Sequence, residues 1–159
     1  LAAFDPNRDR KAFEDEWTSR GSGASTEVNS FEPHYEGSPI VWGPRGATSS
    51  AKGSHAFTAR AGHHLAPQPL SSGRNVFDEL NAGLTLLALD ADRASIETFK
   101  DAAQALQTPL KVIIDSRADG RDRYEAKFIL VRPDQFVAWS SEDAPDNARE
   151  ILQKVLGFV

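Results

Sequence analysis

The chain has no cysteine, and this absence excludes several kinds of chemistry. Without a thiol it can form no disulfide bond, no cysteine nucleophile, no cysteine-ligated zinc site and no C-x-x-C redox pair. Methionine is absent as well, and the chain begins at Leu1. We therefore expect these 159 residues to belong to a longer polypeptide that continues upstream.

Long apolar runs and clusters of basic residues are also missing. No apolar stretch approaches the roughly 20 residues that a membrane-spanning helix requires, and the first residues lack the pattern of a signal peptide. The net charge is −5, from 18 basic and 23 acidic residues. Because nucleic-acid surfaces need clustered Lys and Arg, we predict no nucleic-acid partner. The missing apolar stretch predicts no membrane partner. The absence of cysteine is compatible with the cytosol, and we predict a cytoplasmic location.

Residues Phe128–Trp139 have the clearest pattern in the chain, that of a β-hairpin. Two apolar runs of four residues flank Arg132-Pro133-Asp134-Gln135, which is typical of a type I turn with Pro at its second position. The runs are continuous rather than alternating, so both faces of the hairpin should be covered. We expect Arg132 and Asp134 to form an ion pair within the turn; a contact across a domain interface is the alternative.

A βαβ unit is predicted upstream of the hairpin. Leu84–Leu89 and Leu110–Ile114 have the composition of buried strands. Between them, Ala91–Leu106 predicts a helix that ends before Pro109. The apolar face of this helix would carry Ile96, Phe99, Ala103 and Leu106. Strands joined by such a helix should pair in parallel.

The chain closes with a predicted helix whose N-cap is Asp143, with Pro145 near its first turn and Gly157 as its stop. The inner stripe of this helix would carry Ala148, Ile151, Leu152 and Val155. Before the hairpin, Asp115–Arg123 has no apolar face, so we expect a solvated, mobile loop. The order β-α-β-β-β-α predicts a thioredoxin-like α/β sandwich without C-x-x-C, with a mixed central sheet and a helix on each side.

Composition divides the chain into three parts. Residues 1–42, which include a predicted helix at Arg8–Arg20, would be the tail of an upstream domain. Residues 43–73 are rich in Gly, Pro and Ser and would form an extended arm or linker. Residues 74–159 would form the thioredoxin-like C-terminal domain.

The segment that would carry the redox cysteines of a thioredoxin is Asp90-Ala91-Asp92-Arg93. A carboxylate at this place most simply caps the following helix. A redox site without cysteine is the alternative, and it requires a deep pocket near these residues, lined by titratable groups.

The four histidines raise the question of a metal site. His63 and His64 are adjacent, so on an extended chain their side chains point to opposite sides, and no carboxylate lies at helical spacing from either. We therefore predict a hydrogen-bonded interface role for these histidines, with His34 and His55 nearby in sequence, and no metal. The acidic runs at residues 14–16 and 142–143 predict solvated surfaces rather than acid–base catalysis. The sequence assigns no catalytic, cofactor-binding or metal-ligating residue.

Several segments resemble a known family in their order and spacing. They are Tyr35–Val41, Ala59–Pro67, Val76–Leu80, Leu84–Leu87 and Leu130–Trp139. Over about residues 30 to 158 the chain resembles the C-terminal third of the FAD-dependent aromatic hydroxylases, of the phenol hydroxylase and polyketide hydroxylase type. It departs from the family pattern Pro-Gly-x-Arg-x-Pro-His at residues 61–68, and Phe136 stands where the family commonly has His.

The resemblance implies the C-terminal structural and interface domain of a flavin monooxygenase, and it makes residues 1–42 the tail of the upstream, substrate-binding domain. The parent enzyme would use FAD, NAD(P)H and O₂ to hydroxylate a phenolic or polyketide-like aromatic substrate. Upstream FAD- and substrate-binding domains would be the partners, a homodimer is open, and this part alone would be inactive and bind no cofactor. The alternative is a stand-alone, redox-silent thioredoxin-like module for protein interaction.

Overall fold

The computed structural model of the chain describes residues 10, 11, 14, 15, 33–43 and 57–158. Residues 10, 11, 14 and 15 are helical, in agreement with the helix predicted at Arg8–Arg20. The rest of that helix, including its apolar residues Phe13 and Trp17, lies outside the described residues.

The regular elements follow the predicted order, with a short helix and a 3₁₀ turn added. They are α1 (Val76–Glu79), β1 (Leu84–Leu89), α2 (Arg93–Ala105), β2 (Leu110–Asp115), the 3₁₀ helix (Arg121–Tyr124), β3 (Phe128–Val131), β4 (Val137–Ser141) and α3 (Ala148–Val155). None of the described helices is both long and apolar enough to cross a membrane.

The strands form one mixed sheet in the order β2-β1-β3-β4. β1 pairs in parallel with β2, so that Leu86 faces Val112, and antiparallel with β3, where Leu86 faces Leu130. β3 and β4 form the predicted hairpin. The central strands β1 and β3 are buried at every position, which explains their continuous apolar runs.

The hairpin turn is closed by hydrogen bonds and an ion pair. Gln135 N donates to Arg132 O at 3.0 Å, and Gln135 has a φ of 69°, as expected where a turn is followed by a bulge. Arg132 Nη2 lies 2.8 Å from Asp134 Oδ2, which confirms the predicted ion pair within the turn.

The ends of the two long helices agree with the predictions except at the start of α3. Asp92 caps α2 by accepting from Ser95 N at 2.9 Å, as predicted. The cap of α3 is Asn147, which accepts from Glu150 N at 3.2 Å; the prediction of Asp143 was therefore wrong. Residue 143 instead lies two positions after the end of β4 and donates its N–H to Ser141 Oγ.

Gly157 ends α3 as predicted. It has a φ of 77° and donates to Lys154 O at 3.0 Å, while Phe158 N donates to Gln153 O at 2.9 Å. This pair of bonds is the Schellman motif, which needs a left-handed residue at the position of the glycine.

Both long helices lie on one face of the sheet, which corrects the expectation of a helix on each side. Phe99 of α2, Ile151 and Leu152 of α3, and Phe128 and Trp139 of the hairpin share one apolar core. The stripe predicted for α3 is buried as expected.

The second face of the sheet is covered by the predicted arm and by α1. Leu65 and Leu70 of the arm pack with Val76 of α1 against Leu87 and Ile129 of the sheet. The described part of the arm, residues 57–73, thus lies across the sheet of this same chain. An extended segment can replace a helical layer here because its buried apolar side chains are Ala and Leu and its backbone groups find partners in β4 and in the segments before that strand.

The segment between β2 and β3 is not simply solvated, contrary to expectation. Arg121 is 1% exposed and donates to Ser116 O at 2.6 Å and to Pro69 O at 2.9 Å. Tyr124 is also buried, and its hydroxyl donates to Ala66 O at 2.6 Å. Burial raises the pKa of Tyr124. These side chains tie the loop to the arm, because a buried guanidinium or hydroxyl must find acceptors.

Candidate functional site

The place of the missing redox motif is an exposed helix cap. Asp90 and Asp92 are both exposed, and the hydrogen bonds of Asp92 with the hydroxyl and N–H of Ser95 lower the pKa of that carboxyl. Asp90 has a φ of 51° and accepts from Arg117 N at 2.9 Å. The predicted capping role is confirmed, and the exposed cap removes the hypothesis of a redox site in a deep pocket.

The structure brings together a buried charge cluster that the sequence did not predict. The carboxylate of Glu36 is 5% exposed and lies between the side chains of Arg60 and His63. Arg60 Nη2 donates to Glu36 Oε2 at 3.0 Å, and Arg60 Nε also contacts Oε1. On the other side, His63 Nε2 lies 2.6 Å from Glu36 Oε1.

A second imidazole completes this cluster. The ring of His34 stacks on that of His63 with centroids 5.1 Å apart and planes 6° from parallel. The Nδ1 atoms of both rings are buried and have no hydrogen-bond partner. Donor atoms of His34, Glu36 and His63 all lie within 4.8 Å of one another.

The charges of the cluster keep Glu36 ionised. The hydrogen bond from Arg60 lowers the pKa of the Glu36 carboxyl and outweighs the opposing effect of burial. The hydrogen bond from His63 acts in the same direction. Reciprocally, Glu36 raises the pKa of Arg60.

The backbone around the cluster is tightly packed. Tyr35 N donates to Gly62 O at 2.7 Å, and Gly62 N donates to Val137 O at 2.7 Å. A Cβ atom on Gly62 would lie 2.6 Å from Glu36 N, and its φ is 92°. Only glycine therefore allows residues 35–36 to approach the arm this closely.

His64 points to a different environment from His63, as predicted for adjacent residues. Its Nδ1 lies 3.0 Å from Leu65 O and its Nε2 lies 3.0 Å from Gln135 Oε1. Its ring also meets the edges of Phe77 and Phe136. The predicted hydrogen-bonded role is thus found for both His63 and His64, while His55 lies outside the described residues.

No pattern in the sequence indicates the pairing of His63 with Glu36, because the two residues are 27 positions apart. A carboxylate at helical spacing lies three or four positions from the histidine, so this pattern cannot indicate a partner that is distant in the sequence. The segment Tyr35–Val41 was noted for its order in the chain, but its glutamate was not assigned a role.

The described residues of the acidic runs lie on the surface, as predicted. Glu14 and Asp15 are exposed, and Glu14 lies 3.3 Å from Arg10. At the other end of the chain, Glu142 is exposed and lies 2.6 Å from Arg117. These are solvated ion pairs, which usually contribute little to stability.

The fold and the exposed cap define a class of protein: a thioredoxin-like domain without a C-x-x-C motif, extended by an arm that covers the second face of its sheet. The chain belongs to the family of aromatic-ring hydroxylase C-terminal domains, whose model matches residues 58–158. The predicted family and fold are therefore confirmed.

Similar proteins agree with this assignment. The FAD-dependent monooxygenase opdD of Penicillium oxalicum is 29% identical over 97 residues, which cover 57% of this chain and 18% of that protein. The structure of RebC with bound 7-carboxy-K252c superposes with a TM-score of 0.67 at 27% identity, over 79% of this chain and 24% of RebC. The chain thus spans about a fifth to a quarter of the length of these relatives.

A third relative supports the fold alone. The complex of aklavinone-11 hydroxylase with FAD and aklavinone superposes with a TM-score of 0.61 at 21% identity, over 75% of this chain and 25% of that chain. Since opdD is an FAD-dependent monooxygenase and aklavinone-11 hydroxylase binds FAD, the residues of this chain can be compared with the requirements of a dinucleotide site.

The sheet of the described residues contains one parallel βαβ unit, β1-α2-β2. The turn between its first strand and its helix does not fit a dinucleotide. Such a turn binds pyrophosphate with close-packed glycines and free N–H groups at a helix N-terminus. Here the turn between β1 and α2 contains two aspartates and no glycine, and the Asp92 carboxylate already accepts from Ser95 N. Its negative charge would repel a pyrophosphate, so we derive no flavin chemistry from these residues.

Proposed function

We propose that this chain is the C-terminal structural and interface domain of a flavin-dependent monooxygenase. The parent enzyme would hydroxylate a phenolic or polyketide-like aromatic substrate with NAD(P)H and O₂ as co-substrates. The observation that carries the proposal is the family match over residues 58–158, together with the similarity to opdD and RebC.

The domain's own part in this proposal is to support other domains. Its sheet is covered on both faces, and its βα turn does not fit a pyrophosphate. Large apolar side chains nevertheless remain exposed: Tyr35, Trp42, Phe57, Ile114 and Phe158. Upstream FAD- and substrate-binding domains of the same polypeptide are the partners that we propose for these exposed side chains, in a cytoplasmic enzyme.

Purified protein tests this proposal directly. The 159-residue chain should be colourless and should not oxidise NADH or NADPH, whereas the chain with its upstream sequence should carry FAD and consume NAD(P)H with an aromatic substrate. A flavin-loaded preparation of the 159 residues would contradict the proposal. Light scattering of both proteins would show whether the domain also forms a homodimer.

The alternative function is a stand-alone, redox-silent thioredoxin-like module that binds other proteins. The observation in its favour is that the arm covers the second face of the sheet, so the core does not require another domain. The upstream sequence separates the two: a G-x-G-x-x-G segment after a strand indicates the enzyme, and a start codon close to Leu1 indicates the module.

A further inference from the structure

Against the prediction of no metal from the sequence, we propose that His34, Glu36 and His63 form a binding site for a divalent transition metal ion, with Zn²⁺ as the probe that tests it. Two imidazoles and one carboxylate are a common protein ligand set for zinc, and water can complete the coordination. The three side chains come from two segments of the chain that meet beside β4.

The geometry of the donor atoms is the first argument. One donor atom from each residue lies within 4.8 Å of the others. Ligands at about 2.0–2.2 Å from a zinc ion lie roughly 3–4 Å from one another, so side-chain movements of about 1 Å would close the site.

The unpartnered ring nitrogens are the second argument. Nδ1 of His34 and Nδ1 of His63 are buried without a hydrogen bond. Buried polar atoms normally have a partner, and an unsatisfied one costs free energy. A metal ion bound through Nδ1 would satisfy these atoms, and Nε2 of His63 would keep its hydrogen bond to Glu36, as in the usual arrangement of metal-bound histidine.

The third argument is that a positively charged group already lies against the Glu36 carboxylate. The Arg60 guanidinium lies against the Glu36 carboxylate, but the Arg60 side chain is 53% exposed, whereas that of Glu36 is 5% exposed. Arg60 can therefore rotate into solvent while the carboxylate stays in place. A metal ion and Arg60 would compete for Glu36, because two cations this close repel each other.

The backbone fixes the ligand-bearing segments before any ion binds. Tyr35, between two of the ligands, is hydrogen-bonded to Gly62, next to the third. His63 N donates to Arg60 O at 3.0 Å, and Val137 N donates to His63 O at 2.9 Å. Such preorganisation favours binding because little backbone ordering is needed.

Calorimetric titration of the metal-free 159-residue chain with Zn²⁺ at about pH 7.5, where ordinary imidazoles are neutral, is the test. One equivalent should bind. His34→Gln and His63→Gln should each weaken binding by about tenfold or more, as loss of a metal-site residue does. His64→Gln is the matched control and should leave the affinity unchanged, since its ring contacts Gln135 instead. Circular dichroism of each variant shows that it is folded.

Arg60→Ala distinguishes a metal site from a purely structural ion pair and changes no proposed ligand. If Arg60 competes with the ion, this variant should bind Zn²⁺ several-fold more tightly than the wild type, and Zn²⁺ should raise its melting temperature more. Failure of the wild type and of Arg60→Ala to bind Zn²⁺ would overturn the proposal. Binding that survives both His34→Gln and His63→Gln would overturn it as well.

Discussion

Gly62 shows how one residue can determine the meeting of two segments. Its backbone carbonyl accepts from Tyr35 N, and its N–H donates to Val137 O in β4. Its left-handed conformation turns the arm immediately before His63. The absence of a side chain leaves room for the backbone of Glu36. The charge cluster therefore depends on a residue that carries no charge.

Gly62→Ala should destabilise the protein strongly. The added Cβ would lie 2.6 Å from Glu36 N, in a conformation with φ of 92° that alanine disfavours. We expect a loss of about 2 kcal/mol or more in the free energy of unfolding, measured in urea. Gly73→Ala is the control: its φ is 80° but nothing lies within 4 Å, so only the backbone cost of about 1 kcal/mol should appear. Equal losses in the two variants would contradict the steric argument.

Through Glu36, the free energy of unfolding should depend on pH in the acidic range. Its hydrogen bond from Arg60 lowers its pKa in the folded state below the ordinary value of 4.5. The folded state therefore binds fewer protons than the unfolded state, and the stabilisation is present above pH 4.5 and lost as the pH falls through the folded pKa.

Glu36→Gln should remove this contribution. The variant should be less stable than the wild type at neutral pH, and the difference should shrink as the pH is lowered through and below about 4.5, in urea unfolding at each pH. Glu97→Gln, at an exposed carboxylate paired with Lys100, is the matched control. A difference between Glu36→Gln and wild type that stays constant with pH would rule out the proposed charge effect.

At the scale of elements, the predictions that rest on residues close together in the sequence were mostly confirmed. The strands β1 and β3 and the end of α3 at Gly157 follow from residues within a few positions of one another. The start of α3 was missed because Asp143 and Asn147 are both good caps, and the hydrogen bond of residue 143 to Ser141 keeps it in the turn after β4.

Asn147→Ala tests the cap of α3. Loss of the bond from Glu150 N should cost about 1 kcal/mol in the free energy of unfolding, as is usual for a capping side chain. Asp143→Ala should change it by less than about 0.5 kcal/mol, because this surface side chain caps no helix. A larger loss for Asp143→Ala than for Asn147→Ala would restore Asp143 as the effective cap.

At the scale of the whole molecule, the two faces of the sheet have different covers. α2 and α3 cover one face, and the arm with α1 covers the other. Arg121 and Tyr124 fasten the arm to the loop before β3. The arm is therefore part of the folded unit that the described residues form, although its composition resembles that of a linker.

Truncation at residue 74 tests whether the predicted C-terminal domain, residues 74–159, folds without the arm. A chain of residues 74–159 lacks Leu65 and Leu70 and would expose Leu87 and Ile129, so we expect it to bind a hydrophobic dye and to unfold without cooperativity. A chain of residues 33–159 keeps the arm and should unfold cooperatively. Cooperative unfolding of both chains would show that the arm is dispensable.

The candidate site could be predicted only in part. That His63 and His64 face different partners follows from their adjacency, and the capping role of Asp92 follows from the helix that begins after it. The meeting of Glu36 with Arg60 and His63 could not be predicted, since no local periodicity relates residues of these two segments.

The sequence by itself determined the order of strands and helices, the hairpin with its ion pair, and the exclusion of thiol chemistry. These features depend on short-range patterns and on composition. Only the tertiary structure decided that both long helices share one face, that Arg121 is buried under the arm, and that Glu36 lies between Arg60 and His63. The physical reason is that such contacts arise when distant segments compete to cover the same apolar surface and to satisfy the same buried charges.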